Sequence, residues 1–110
     1  MDGGERSGLV GVFVGGLILF YLVCFDIVDD KIRRRAVKVL GGYGVRVQKS
    51  VFECPNLSPD RFTKLRNELD ELIDHAEDTF RFYPLCRDCV ARVRWTGVGD
   101  PPRSRSFQVV

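Results

Sequence analysis

The chain has 110 residues, of which 45% are hydrophobic and 29% are charged. This length suits about one small domain, and the composition excludes a disordered tail because it can bury a core. The formal net charge of +2 is too small to indicate a phosphate-binding protein by itself. The charge is unevenly distributed, however. Residues 31–49 carry basic side chains without an acid, and residues 68–78 carry acids without lysine or arginine. The first segment can face phosphates and the second repels them.

The N-terminal part of the chain permits two interpretations. Residues 8–25 contain no charged side chain, which is near the lower length limit for a membrane-spanning helix. Four glycines dilute this run, and Leu17–Phe25 is rich in β-branched and aromatic residues, which favours a buried strand. Residues 1–16 are then an N-terminal extension, either disordered or the product of a misassigned start codon. With no secretory cleavage signal and only four cysteines, we expect a cytoplasmic protein without a membrane anchor.

The first half of the chain predicts a strand, a helix and a second strand. The first strand is expected at Leu17–Asp26. Asp29 is suited to cap a helix that runs to Leu40 and ends where Gly41 and Gly42 can adopt the left-handed conformation. The second strand is expected at Gly44–Glu53. Its alternation predicts one face that carries the helices and one mixed polar face. The helix-bearing face would hold Val45, Val47 and Val51, and the other Arg46, Gln48, Ser50 and Phe52.

The second half of the chain predicts a further helix and three more strands. A turn is expected at Cys54–Leu57, after which Ser58 and Pro59 begin a helix that ends near Asp74. The remaining predicted elements are a strand at Thr79–Tyr83, a turn at Pro84–Cys89, a strand at Ala91–Thr96, a linker at 97–102 and a short strand within 103–110.

Together these elements indicate an α+β domain at residues 17–96 with the ferredoxin-like βαββαβ pattern. Both helices would pack on one face of an antiparallel sheet, and the chain has nothing left to cover the other face. The linker would allow the C-terminal strand to pair with the edge of a partner's sheet. Both features predict a homodimer.

The first predicted strand is apolar except for its last residue, Asp26. A buried carboxylate would be costly at such a position. Asp26 is therefore a candidate ligand for Mg²⁺ or Mn²⁺, which prefer hard oxygen donors, and capping of the first helix is the alternative. One carboxylate is a small ligand set, so the metal would need a second subunit, water or phosphate oxygens. Asp29 and Asp30 are assigned to helix capping, with a metal role as the alternative.

Basic and polar side chains form the candidate nucleic-acid contacts. Arg33, Arg35 and Arg46 suit phosphate because the planar guanidinium binds oxygens in pairs, although a solvated basic surface is the alternative. Ser50 is a candidate for contacting a scissile phosphate or a metal-bound water, with a cross-strand hydroxyl contact as the alternative. Gln48 and Phe52 are predicted to lie at the dimer face. For the pair Cys86 and Cys89, a structural turn, a disulfide and a metal shared between subunits stay open.

Three stretches of the chain resemble the CRISPR-associated Cas2 family. They are Phe25–Lys31 followed by Arg33 and Arg35, the more specific Gly42–Cys54, and Phe82–Cys89. The resemblance covers about Leu17–Val110. The sequence departs from the family in two respects: Phe25 stands where a tyrosine is usual, and the residues before the first strand are more numerous.

This resemblance implies a ferredoxin-like homodimer that holds double-stranded DNA together with the Cas1 integrase during spacer acquisition. It also implies a metal-dependent endonuclease acting on single-stranded RNA or double-stranded DNA, in which Asp26 of both subunits binds the divalent ion. Two other functions stay open, a DNA-binding scaffold without catalysis and a small-molecule-binding module of the same fold. The clustered arginines argue against the small-molecule-binding module.

Overall fold

The structure of the chain is a computed structural model that describes residues 19–102. Within this range the elements are β1 (Leu19–Asp26), α1 (Asp30–Gly41), β2 (Val45–Gln48), β3 (Val51–Leu57), α2 (Pro59–Leu72), β4 (Thr79–Leu85) and α3 (Arg87–Ala91). The predicted N-terminal extension at 1–16 and the predicted strand within 103–110 lie outside the described residues. No helix in the described part of the chain has the length and apolarity to cross a bilayer.

The strands form a single antiparallel sheet in the order β2-β3-β1-β4. β1 lies between β3 and β4, so β2 and β4 are the edges of the sheet over the described residues. The register places Val23 of β1 opposite Phe52 of β3 and opposite Phe82 of β4. Read along the chain, the first six elements are βαββαβ, which confirms the predicted ferredoxin-like α+β class. The individually predicted strands and helices follow the order βαβαββ within residues 17–96, so the class is confirmed but the placement of its strands is not.

The starts of both long helices are as predicted. The Asp29 carboxylate accepts a hydrogen bond from the backbone N–H of Ile32 at 3.0 Å, and the Ser58 hydroxyl accepts one from Arg61 at 3.2 Å. Each bond satisfies one of the N–H groups that a helix leaves without a partner at its first turn.

The ends of the two helices differ from the predictions. α1 continues to Gly41, and Gly42 has φ −79° and ψ −8°, so the predicted left-handed cap is wrong. The Gly42 N–H instead bonds the carbonyl of Val39, which tightens the last turn without requiring a positive φ. α2 ends at Leu72, two residues before the predicted Asp74.

The main core lies between the sheet and the two long helices. Ala36 and Leu40 of α1 are buried there together with Leu65 and Leu69 of α2. Aromatic side chains complete it: the rings of Tyr21 and Phe62 stack at 4.5 Å, Phe62 meets Phe82 edge-to-face at 5.2 Å, and Phe25 and Phe80 lie 5.4 Å apart. Aromatic pairs of this kind add stability beyond the area they bury.

Residues 45–57 form a β-hairpin, so the predicted single strand followed by a turn is wrong. The hairpin turns at Lys49–Ser50, and β3 includes the predicted turn Cys54–Leu57. The turn contains no Gly, Pro, Asn or Asp, and Ser50 is its only common turn residue, so the alternating valines predict one continuous strand across it. Pro55 is accommodated because the β1–β3 register shifts in this part of β3.

The hairpin also reverses the predicted faces. Phe52 is 2% exposed and belongs to the core beneath the helices, so the prediction that it lies at a dimer face is wrong. Arg46 pairs with Phe52 across the hairpin and therefore lies on the helix-bearing side of the sheet, at its edge. Val51 pairs with Cys24 and lies on the opposite side. Phe52 fills the core, and its burial therefore determines which residues of the hairpin lie on the helix-bearing side.

The end of the described chain is helical and then irregular, so the predicted strand at Ala91–Thr96 is wrong. β4 continues through Pro84 to Leu85, and Cys86 caps the short helix α3. Val90 of α3 is buried against Phe20 and Leu85, a cluster separate from the main core. Because β1 alternates, Phe20 lies on the face that carries neither α1 nor α2. α3 therefore covers one end of that face.

Candidate functional site

One face of the sheet carries neither of the long helices, and we call it the open face. By the register and the alternation of the strands, it holds Leu22, Cys24 and Asp26 of β1, Thr79, Arg81 and Tyr83 of β4, Val51 and Glu53 of β3, and Val45 of β2. Tyr83 is 42% exposed, and its hydroxyl accepts a hydrogen bond from the Arg81 guanidinium at 3.2 Å. The open face thus combines an apolar centre with charged groups.

Asp26 ends β1 at the margin of the open face. Its side chain is exposed, and it pairs with Thr79 across the β1–β4 ladder. The alternative role of helix capping does not account for it, because Asp29 is the residue that caps α1. The structure therefore presents an exposed carboxylate at the end of a strand whose other described residues are apolar.

Ser50 lies in the hairpin turn, beside the end of β1. Its carbonyl accepts a hydrogen bond from the backbone N–H of Phe25 at 3.1 Å, which places the turn next to the residue preceding Asp26. The Arg46 guanidinium reaches the same turn, donating to the carbonyl of Lys49 at 2.7 and 3.1 Å. The turn thus places Ser50 and Arg46 near the end of the sheet at which Asp26 lies. The single straight strand that was predicted has no such turn.

The donor set around Asp26 fits half of a site for a hard divalent cation. In residues 19–102, no group of three or more His, Cys, Asp or Glu side chains could hold a metal ion. Asp26 contributes one carboxylate, and Thr79 opposite it carries a hydroxyl. Mg²⁺ and Mn²⁺ take oxygen ligands of this type and commonly complete their shell with water and phosphate oxygens.

An acidic cleft lies at the start of α1, between Val28–Ile32 and Asp74–Asp78. The hydrogen bond from Ile32 lowers the pKa of Asp29 below its usual range, so this carboxylate is ionised as it caps the helix. Asp78 is a buried structural residue that the sequence analysis missed. It is 6% exposed, and its carboxylate accepts from the N–H groups of both Val28 and Asp74 at 3.0 Å. Within a run of acidic residues nothing distinguishes it in the sequence.

A basic cleft lies between α1 and the hairpin. It is lined by Asp30, Arg33, Arg34, Val37, Lys38, Arg46 and Lys49. Asp30 and Arg33 form an ion pair on α1 that occupies part of the Arg33 guanidinium. The structure thus joins two of the three predicted phosphate-binding arginines, Arg33 and Arg46. Arg35 is exposed outside the cleft, because two positions along a helix correspond to about 200° of rotation.

Gln48, the other predicted contact of the dimer face, is exposed at the end of β2. It pairs with Val51, which lies on the open face. The β-bulge between Arg46 and Gln48 shifts the alternation of β2, so the two residues do not share the single face that was predicted for them.

Comparisons with known proteins agree with this architecture. A family model for the CRISPR associated protein Cas2 matches residues 19–93. The CRISPR-associated endoribonuclease Cas2 3 of Synechocystis sp. is 39% identical over 89 residues, covering 80% of this chain and 92% of that protein. The crystal structure of Streptococcus pyogenes Cas2 superposes with a TM-score of 0.65 at 35% identity, covering 71% of this chain and 99% of that one.

A chain of a partial Cas6-RT-Cas1–Cas2 complex superposes with a TM-score of 0.64 at 36% identity, covering 76% of this chain and 88% of that one. The matched segment includes every described strand, both long helices and Asp26. The chain belongs to the CRISPR-associated protein Cas2 family.

Proposed function

We propose that this chain acts in CRISPR adaptation as a homodimer and hydrolyses phosphodiester bonds with Mg²⁺ or Mn²⁺ held by Asp26 of both copies. The observation that carries this proposal is the exposed Asp26 carboxylate at the end of β1, where it caps no helix. The name of the Synechocystis relative, an endoribonuclease, supports the reaction class. The Cas1–Cas2 complex named for a similar chain supports the Cas1 integrase as a partner.

The open face supports the homodimer. Leu22, Cys24 and Val51 give it an apolar centre, and α3 covers only the end at Phe20. A second copy that packs on this face by two-fold symmetry would cover that centre. An axis near the end of β1 would bring Asp26 close to Asp26 of the second copy. Two carboxylates there would complete the ligand set that one chain lacks.

The residues of the chain then have separate tasks in the reaction. Asp26 offers carboxylate oxygens at the margin of the open face and would hold the cation there. When bound, the cation would neutralise phosphate charge and lower the pKa of a water molecule. Ser50, at the neighbouring turn, offers a hydroxyl to a phosphate oxygen. Arg33 and Arg46 hold the nucleic-acid backbone, since their guanidinium groups match phosphate geometry.

The test compares cleavage of labelled single-stranded RNA and double-stranded DNA with Mg²⁺, Mn²⁺ or EDTA. Asp26→Asn keeps the shape of the side chain but removes its charge, and we expect it to abolish metal-dependent cleavage. Asp29→Asn is the matched control, because it makes the same change three residues away and asparagine also caps helices well. Equal cleavage by wild type and Asp26→Asn would contradict the catalytic assignment.

A second candidate function is a DNA-holding scaffold without catalysis, and the basic cleft favours it. The cleft gathers Arg33, Arg46 and three further cationic side chains along one side of the molecule. Such a surface binds the DNA backbone without reading its sequence. We expect the double variant Arg33→Gln/Arg46→Gln to weaken duplex binding and to lower the dependence of log Kd on log salt by about one unit per lost phosphate contact. Arg35→Gln, outside the cleft, should change the duplex affinity and its salt dependence much less. If Arg35→Gln weakened binding as much as the double variant, the DNA would not bind in the basic cleft.

A further inference from the structure

Two cysteines lie at the surface where α3 begins. Cys86 and Cys89 are both exposed, and they are three residues apart. The Cys86 sulfur accepts a hydrogen bond from the backbone N–H of Cys89 at 3.3 Å. This bond holds the Cys86 sulfur next to the residue that carries the second thiol, as formation of a disulfide requires.

The other two cysteines have different environments. Cys54 is 0% exposed, and burial raises its pKa to about 12, so it is an inert thiol in the folded protein. Cys24 is half-buried on the open face, where it pairs with Val51. Of the four cysteines, Cys86 and Cys89 are thus the pair that a soluble reagent can reach.

We propose that Cys86 and Cys89 form a thiol–disulfide exchange site, in which Cys86 attacks a small-molecule disulfide and Cys89 resolves the product. This inference is independent of the nuclease and scaffold functions. It concerns a surface on α3, and neither Asp26 nor the basic cleft takes part in it.

The backbone hydrogen bond distinguishes the roles of the two cysteines. The hydrogen bond from the Cys89 backbone N–H stabilises the Cys86 thiolate and lowers the pKa of Cys86 despite the nearby Asp88 carboxylate. The neighbouring Cys86 side chain raises the pKa of Cys89, although Arg92 partly opposes this effect. Since the thiolate is the nucleophile, Cys86 reacts first and Cys89 second.

The exchange is balanced when the oxidant is a disulfide of the form RSSR. The Cys86 thiolate attacks one sulfur, forms the mixed disulfide Cys86–S–SR and releases RS⁻. Cys89 then loses its proton and attacks the Cys86 sulfur, forming the Cys86–Cys89 bond and releasing the second RS⁻. The dithiol is oxidised by two electrons, and RSSR is reduced to two thiols once these are protonated.

The surroundings favour exchange over metal binding. A structural zinc site needs four ligands, and in residues 19–102 no third ligand joins these cysteines in a group that could hold a metal. The bond would close the first turn of α3, the helix that seats Val90 against Phe20 at the covered end of the open face. We therefore expect the disulfide to restrict the movement of α3 and of the end of the sheet that it covers.

The experiment treats the reduced full-length chain with glutathione disulfide and follows intact mass and peptide maps over time. For wild type we expect a loss of two hydrogens, mapped to a bond between Cys86 and Cys89. Cys89→Ser should instead accumulate one glutathione adduct at Cys86. Cys86→Ser should form no such bond, and its remaining Cys89 should react several-fold more slowly than Cys86 does in Cys89→Ser, because Cys89 lacks the backbone hydrogen bond that stabilises the Cys86 thiolate.

The design separates reactivity from folding. Serine is a good N-cap, so Cys86→Ser keeps an acceptor for the Cys89 N–H and should retain α3. Cys24→Ser, the matched control, should form the same bond as wild type. The proposal is overturned by a wild-type protein that stays reduced, by a bond that forms between chains or through Cys24, or by equal rates for the two single variants.

Discussion

The carboxylate of Asp78 accepts a hydrogen bond at 3.0 Å from the backbone N–H of Val28, a residue fifty positions earlier in the chain. Its second oxygen accepts from the N–H of Asp74, also at 3.0 Å. The side chain thus connects the segment after β1 with the segment before β4. Asp26 lies two residues before Val28, so this bond helps to set the position of the candidate active-site carboxylate.

Removal of this carboxylate should destabilise the fold. Asp78→Ala leaves two N–H groups without their acceptor, and we expect the free energy of unfolding to fall by about 2–3 kcal/mol in urea titrations. Glu77→Ala is the control, because Glu77 is exposed next to it. A similar loss in both variants would mean that the acidic cleft as a whole, and not the two bonds of Asp78, stabilises this region.

Two glycines should respond in opposite directions to the same substitution. A Cβ at Gly44 would lie 2.3 Å from the Glu53 carbonyl oxygen and 2.7 Å from the Cys54 sulfur, because β2 begins in close approach to β3. Gly44→Ala should therefore cost about 1–3 kcal/mol of stability through overpacking. Gly41 ends α1 with no atom within 4 Å of such a Cβ, so Gly41→Ala should stabilise by about 0.5–1 kcal/mol. Thermal unfolding of both variants measures this, and a neutral Gly44→Ala would show that the two strands can separate freely.

The stability of the protein should depend on the ionisation of Glu53. Burial raises the pKa of this carboxyl above its usual value of 4.5. Between the unfolded and folded pKa values the folded state binds more protons than the unfolded state, so stability decreases as the pH rises through this window. Glu53→Gln should therefore be more stable than wild type at pH 7 and equal to it near pH 4, where Glu53 is mostly protonated in both states.

Urea unfolding at the two pH values measures this difference. Glu71→Gln on the exposed side of α2 is the control and should give no pH-dependent gain. If Glu53→Gln were less stable at pH 7, the charged carboxylate would have a stabilising partner, and the desolvation argument would fail.

The open face should be where two copies meet. Leu22 lies at its centre, between Glu53 and Tyr83. Leu22→Lys introduces one charge per copy into the interface and should shift the protein from dimer to monomer in light-scattering measurements at fixed concentration. Val28→Lys is the control, because Val28 is 65% exposed and follows the end of β1. A dimeric Leu22→Lys protein with unchanged dissociation would exclude this face.

The sequence predicts those features correctly that depend on interactions between residues close together in the chain. Asp29 and Ser58 are residue types that favour the N-cap position, and the structure confirms both as caps. Each accepts a hydrogen bond from an N–H three residues away. The apolar side chains of α1 and α2 recur at the helical repeat and form two stripes that are buried or partly buried in the core. Asp26 stood out because a carboxylate ends an apolar strand, a feature that is visible without knowledge of the partner strands.

The hairpin shows why the remaining features needed the tertiary structure. Whether Phe52 or Val51 faces the core depends on the turn at Lys49–Ser50 and on pairing with β1, about thirty residues earlier in the register. The same turn carries Arg46 to the helix-bearing side of the sheet, beside Arg33. No local preference distinguishes the two faces of such a strand.

The sequence by itself determined the α+β class, the caps and stripes of the two long helices, and the candidate roles of Asp26 and the basic segment. Only the tertiary structure decided that residues 45–57 reverse direction, that Phe52 is buried, that Asp78 binds Val28, and that Cys86 caps a short helix that contains Cys89. The physical reason is distance along the chain. Caps and helical stripes depend on residues three or four apart, whereas strand partners, faces and buried polar contacts depend on packing between segments that the sequence separates by tens of residues.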